Sequence, residues 1–281
     1  MEPQIRFCTS ADGTRIGYAT LGEGPPLVIV PPWGGDVARD WGSPDCRPAL
    51  ESLSRGRLFA TFDRRGVGAS QREVDVFSLE AQVADVEAVV DHLGLERFDL
   101  WGTLDGAAIS VAYAVEHPER VSRLVLWAAY PCGVEIVRPG AARGLVELIR
   151  GNWSLARRAI AAVVFPSGPT ELQGWFSESF RRCLSPEVAA KCVEFYATVD
   201  VRDLLPRVKA PTLVLHRRGD RNAPMSAAMA VAALVPDARF VALEGDMDHP
   251  LLGDTSYLET LTQFLDEGRG RAPAAGRRRA Q

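Results

Sequence analysis

The sequence predicts an α/β protein with a mostly parallel central sheet, helices on both faces and a helical insertion. Two observations carry this. Apolar runs of strand length alternate with segments of helical periodicity along most of the chain, the pattern of a parallel sheet fed by crossover helices. Between residues 132 and 208 the strand signal stops while Arg, Trp and Phe rise, which places a helical block over the carboxyl edge of the sheet. The expected division is a core of residues 1–131 and 209–266, a helical cap over 132–208 and a tail over 267–281.

Each element has its own justification. Leu27–Val30 is a short strand of buried type, ended by Pro31-Pro32 and Gly34-Gly35, and Leu58–Phe62 is a second, ended by Asp63. Ser78 is an N-cap for a helix whose apolar positions Val83, Val86, Val89, Val90 and Leu93 recur at helical spacing before Gly94. Phe98–Trp101 is the next strand and runs directly into a turn and the apolar helix 107–115. Arg123–Trp127, Pro211–His216 and Ala238–Leu243 supply three more strands. The tail, with Arg269, Arg271 and Arg277-Arg278-Arg279 among Ala, Gly and Pro, has no apolar residues to pack and reads as disordered.

Composition narrows the function classes. The 281 residues are 47% hydrophobic and 24% charged, with a formal net charge of −4, which argues against a nucleic-acid binder built on a basic face. No apolar run reaches the roughly 20 residues of a membrane span. Met1-Glu2-Pro3-Gln4 lacks the basic and apolar stretches of a signal peptide. The expected location is therefore the cytoplasm. Cys8, Cys46, Cys132, Cys183 and Cys192 are scattered without a Cys-x-x-Cys pair, so neither a disulfide framework nor a zinc knuckle is suggested, and no metal or cofactor is called for.

Several segments in order resemble the α/β-hydrolase-fold superfamily across about residues 5 to 266. Asp63-Arg64-Arg65-Gly66-Val67-Gly68-Ala69-Ser70 resembles its Asp-x-Arg-Gly-x-Gly-x-Ser loop, and His117-Pro118-Glu119-Arg120-Val121 the segment before a central strand. Ala210–His216 with Gly219-Asp220 resembles the strand that delivers the catalytic acid, and Gly245-Asp246-Met247-Asp248-His249-Pro250 the histidine loop. The beginning, Ile5 to Gly13, further resembles hydrolase-like domains that precede bacterial nucleotide cyclases. The resemblance implies an α/β-hydrolase fold and assigns His249 and Asp220 as a base and its orienting acid.

One segment departs from that pattern. The family's Gly-x-Ser-x-Gly elbow appears here as Gly102-Thr103-Leu104-Asp105-Gly106. Both glycines are kept, but Leu104 at the nucleophile position has no lone pair with which to attack. Asp105 and Cys132 are the neighbours that could substitute, although Asp105 stands one position late for the elbow and Cys132 fits a buried, inert thiol. Thr103 and Cys132 are candidate pocket residues. The backbone N–H groups of Trp33 and Asp105 are the expected oxyanion donors, and the Asp105 side chain is expected to point outward as a helix cap. His92, His117 and His216 read as structural.

Three functions stay open at this stage. The first is a non-covalent acid/base enzyme that uses His249 and Asp220 on a small apolar or aromatic substrate, as a lyase, cyclase, isomerase or cofactor-free oxygenase would. The second is a pseudohydrolase that binds a ligand or partner. The third is an ester or epoxide hydrolase with a displaced nucleophile or activated water. Trp153, Phe165, Trp175, Phe176, Phe180, Phe195 and Tyr196 lie in the insertion, and some are expected to line a roof that favours a ring-containing ligand.

Overall fold

A computed structural model describes residues 4–247 and 249–268. Asp248 of the histidine segment, Met1 to Pro3, and residues 269–281 of the basic tail lie outside the described residues.

The structure is an α/β-hydrolase fold built on an eight-stranded sheet. Its strands are β1 (Arg6–Thr9), β2 (Arg15–Leu21), β3 (Pro26–Val30), β4 (Leu58–Phe62), β5 (Phe98–Thr103), β6 (Val121–Trp127), β7 (Thr212–Arg217) and β8 (Arg239–Leu243). The order is β1-β2-β4-β3-β5-β6-β7-β8. The strands β4, β3, β5, β6, β7 and β8 run parallel, while β1 and β2 pair antiparallel at one edge. The six parallel strands begin and end within about two residues of the sequence reading. The antiparallel pair was not anticipated. Arg6, Phe7 and Thr9 of β1 are exposed, so this edge strand lacks the apolar run that betrays a buried one.

Short helices α1 (Val37–Gly42) and α2 (Arg47–Leu53) follow β3, and α3 (Leu79–His92) precedes β5. Ser78 caps α3 by accepting the Ala81 N–H, as expected. Helix α4 (Asp105–Glu116) leaves β5 directly and is buried from Asp105 through Ala114. Its alanines, Ala107, Ala108, Ala112 and Ala114, let it lie close on the centre of the sheet. The carboxyl half holds α10 (Met225–Leu234) and α11 (Tyr257–Asp266).

Between β6 and β7 the chain forms α5 (Gly133–Ile136), α6 (Pro139–Gly151), α7 (Trp153–Val164), α8 (Thr170–Cys183) and α9 (Pro186–Thr198). Val146, Ile149, Ala156, Ala189, Ala190 and Val193 make a small core of their own among these helices. No helix of the described residues is long and apolar enough to cross a membrane.

Candidate active site

The turn from β5 into α4 is fixed by close backbone approach. A Cβ on Gly102 would sit 2.5 Å from the Ala107 Cα, and one on Gly106 would sit 2.5 Å from the Val30 carbonyl oxygen. Only glycine fits both places, so the bend can press against β3. Leu104, at its apex, is driven to φ +52° and ψ −120°. A non-glycine residue there costs on the order of 1–3 kcal/mol and persists when its surroundings over-determine it. The Leu104 side chain faces a chamber of about 500 Å³.

That chamber is closed above by helices of the insertion. Ile160 and Val164 of α7, Phe176 and Phe180 of α8, and Val193 and Tyr196 of α9 line it with Trp33, Leu104 and His249. Trp33 and Phe180 rings meet at 5.3 Å, and Phe176 and Phe180 at 4.7 Å. Of the other aromatic residues in the insertion, Trp153 stacks behind Phe180 and Phe195 packs on Phe77 instead.

The floor holds a buried polar network. Asp105 is fully buried and turned inward, a correction to the outward cap expected from the helix dipole. Its Oδ2 accepts from the Arg64 guanidinium at 2.6 Å and its Oδ1 accepts from the Trp33 N–H at 3.1 Å. Arg64 also donates to Gln82 at 2.9 Å and lies over the Phe195 ring. A paired charge overrides the dipole term, since an exposed carboxylate at a helix start gains at most about 1 kcal/mol and an unpaired buried guanidinium costs several. The Trp33 N–H, expected as an oxyanion donor, is thereby committed to an internal carboxylate.

His249 lies on the chamber wall and also lines a smaller hollow of about 60 Å³ behind it, with Asp40, Arg39 and Thr103. Its Nδ1 accepts from the Leu251 N–H at 3.3 Å, so the neutral ring carries its proton on Nε2. Nε2 faces Asp40 Oδ1 at 3.6 Å. Asp220 stands on the loop after β7 and accepts from the N–H groups of Asn222 at 2.7 Å and Ala223 at 3.3 Å. A carboxylate that meets the imidazole is thus Asp40 of α1, which the sequence reading did not single out. Burial would raise the Asp40 pKa, but Arg39 at 2.7 Å and then His249 override it and hold the group at about 2.

Thr103 lines the smaller hollow and Cys132 lines neither cavity. Cys132 is paired through its backbone with Asp200, and burial pushes its thiol up. His216, one residue before the end of β7, is fully buried, and burial lowers its pKa.

Among the described residues one group of side chains has metal-ligand chemistry: Asp40, Cys46 and His249 bring ligand atoms within 4.8 Å of one another. Their arrangement suits an ion-pair cluster better than a cage. Arg39 already occupies Asp40 Oδ1, the Leu251 N–H leaves the proton on His249 Nε2, and burial pushes the Cys46 thiol to about 12.

With this geometry in place, comparison with known proteins gives the class. Residues 25–166 match the family described as alpha/beta hydrolase fold, and the chain belongs to that family. It is 30% identical to the 2-hydroxymuconate semialdehyde hydrolase of Pseudomonas putida, over 84% of this chain and 85% of that one. It is 27% identical to the pyrrolizixenacetamide deacetylase of Xenorhabdus hominickii, over 89% and 92%. Among solved structures it is similar to a bromoperoxidase from Bacillus anthracis, with a TM-score of 0.84 at 16% identity, covering 94% of this chain and all of that one (100%). These relatives span hydrolases and peroxidases, and fold alone does not choose among them.

Proposed function

We propose that this chain is a non-hydrolytic member of its family that binds a small apolar or aromatic molecule in the chamber beneath the 132–208 cap. The observation that carries the reading is the Trp33 N–H donating to Asp105 at 3.1 Å, because an anion pocket filled by the protein's own carboxylate repels a developing oxyanion. Acyl transfer needs a nucleophile, a base and open donors together. Here Leu104 stands where the family carries its nucleophile serine, the His249 lone pair is taken by Leu251, and the Trp33 donor is spent. The chamber's 500 Å³ and largely apolar wall fit a ligand site. The reading includes a cytoplasmic protein whose partner is neither nucleic acid nor membrane, and it invokes no cofactor.

The test pairs ligand extraction with turnover. Native mass spectrometry of protein purified without organic solvent is expected to show one bound small molecule per chain, and p-nitrophenyl esters are expected to hydrolyse at the uncatalysed rate. Leu104→Ser alone is expected to stay inactive, because it restores neither the donor nor the base. Ester turnover above background that disappears in His249→Ala would overturn the proposal.

A second reading, acid/base catalysis by His249 with Asp220 or Asp40, draws support from His249 lying on the chamber wall. It predicts a chemically altered molecule in the extract of the unsubstituted protein and the unaltered one with His249→Ala.

A further inference from the structure

The chamber's lining is of two chemical kinds. Leu104, Ile160, Phe176 and Phe180 present hydrocarbon and ring faces. Arg138 and Arg221 also line the cavity, and no carboxylate side chain lines it anywhere among the described residues. Arg39 also lines it, but its charge is committed. It pairs with Asp40 at 2.7 Å, donates to the Gly34 carbonyl at 2.9 Å and lies over the Phe176 ring at 5.1 Å.

Arg138 and Arg221 make no ion pair among the described residues. Arg221 precedes Asn222, whose carbonyl accepts from Tyr196 Oη at 3.1 Å. Arg138 follows α5, which is tied to the end of α9 by the Gly133 N–H donating to the Val199 carbonyl at 2.8 Å. Two unspent guanidinium groups beside an apolar cavity favour a planar anion, since the guanidinium fork matches a carboxylate. The same charges disfavour a cation.

We propose that the chamber selects an apolar monocarboxylate, with its hydrocarbon body along Leu104, Ile160 and Phe176 and its carboxylate paired with Arg138 and Arg221. The proposal rests on the binding reading and adds a ligand class to it. At roughly 30 Å³ per water-sized group, 500 Å³ takes about 17 non-hydrogen atoms, which leaves room for a ten-carbon carboxylate.

Isothermal titration with decanoate, decanol and decylamine at low ionic strength tests this. Decanoate is expected to bind about tenfold tighter than decanol, an increment that one charge-assisted contact supplies, and decylamine weakest. The double variant Arg138→Gln/Arg221→Gln, altered only at exposed side chains, is expected to bring acid and alcohol within about twofold while leaving decanol affinity unchanged. Equal binding of acid and alcohol by the unsubstituted protein overturns the ligand class and leaves the binding reading standing. A preference that survives in the double variant overturns the assignment to these arginines. Failure of all three probes to bind, with no ligand in the native extract, overturns the binding reading itself.

Discussion

On the floor of the chamber Arg64 and Asp105 meet at 2.6 Å with side chains 2% and 0% exposed, whereas on the roof Arg150 and Glu187 meet at 3.0 Å with 48% and 60% in solvent. A second buried pair away from the chamber repeats the floor's pattern, Arg65 and Asp85 at 2.7 Å, both 1% exposed, and the roof repeats its own with Arg181 and Glu178. The same residue types thus serve two purposes. Buried pairs in a low-dielectric interior are fixed parts, because neither partner can be released without leaving a bare charge. Exposed pairs are screened and lightly held. The fixed floor has spent the Trp33 N–H and the charges of Arg64 and Asp105 on one another, so that donor is not open to a reacting carbonyl. The roof joins the sheet's core through residues such as Phe176 and Phe180 and adds a small core of its own, and its surface ion pairs are only lightly held.

Breaking the floor pair is the largest test of this contrast. Arg64→Met leaves Asp105 buried with the Trp33 N–H as its remaining donor, and is expected to destabilise the protein by about 3–5 kcal/mol in urea melts. Replacing both charges with apolar groups, Arg64→Met/Asp105→Leu, is expected to recover most of that loss, because it removes the desolvated charge along with its partner. A double variant no more stable than the single one would show that the pair is not what holds the floor.

The Asp40 cluster sharpens the comparison through pH. The folded pKa of Asp40 is about 2, below the ordinary 3.8, so its pairing stabilises the fold above pH ~4, and that contribution is lost as pH falls through 2. The shift corresponds to about 2 kcal/mol. Asp40→Asn is therefore expected to be less stable than the unsubstituted protein by about that amount at pH 7, with the gap closing as the pH nears 2. A gap of constant size across this range would mean that the charge on Asp40 is not its source.

Much of the scaffold was legible in the sequence because parallel strands buried on both faces must be continuously apolar, as Leu27–Val30 and Phe98–Trp101 are. The glycines around Leu104 marked the elbow for a similar reason, since a missing side chain betrays close packing. The partners inside the site were not legible in the same way. Asp40 and His249 are 209 positions apart, and nothing in the spacing of either tells which carboxylate reaches the ring. Asp36 capping the short α1 and Asp40 one turn later form the local signal that was missed. The inward turn of Asp105 escaped for a different reason. A helix dipole acts on the residues next to it in sequence, whereas the deciding charge, Arg64, comes from the loop after β4. The cap aromatics were visible as a class, but which of them face the ligand depends on how α7, α8 and α9 cross.

The smallest expected effect lies on the roof, and it is the one that separates the two regions most cleanly. Arg150 reaches Glu187 at 3.0 Å and Glu194 at 3.5 Å from the opposite helix, so by contact geometry it clamps α6 to α9 as Arg64 clamps the floor. Screening predicts otherwise, because a long exposed side chain loses as much in rotamer freedom as the pair returns in water. Arg150→Ala is expected to leave the melting temperature unchanged within measurement error at physiological salt, and to show at most a small decrease at low salt, where screening is weak. A loss comparable to that of Arg64→Met would mean that the roof is held as rigidly as the floor, and the contrast between a fixed base and a lightly held cover would fail with it.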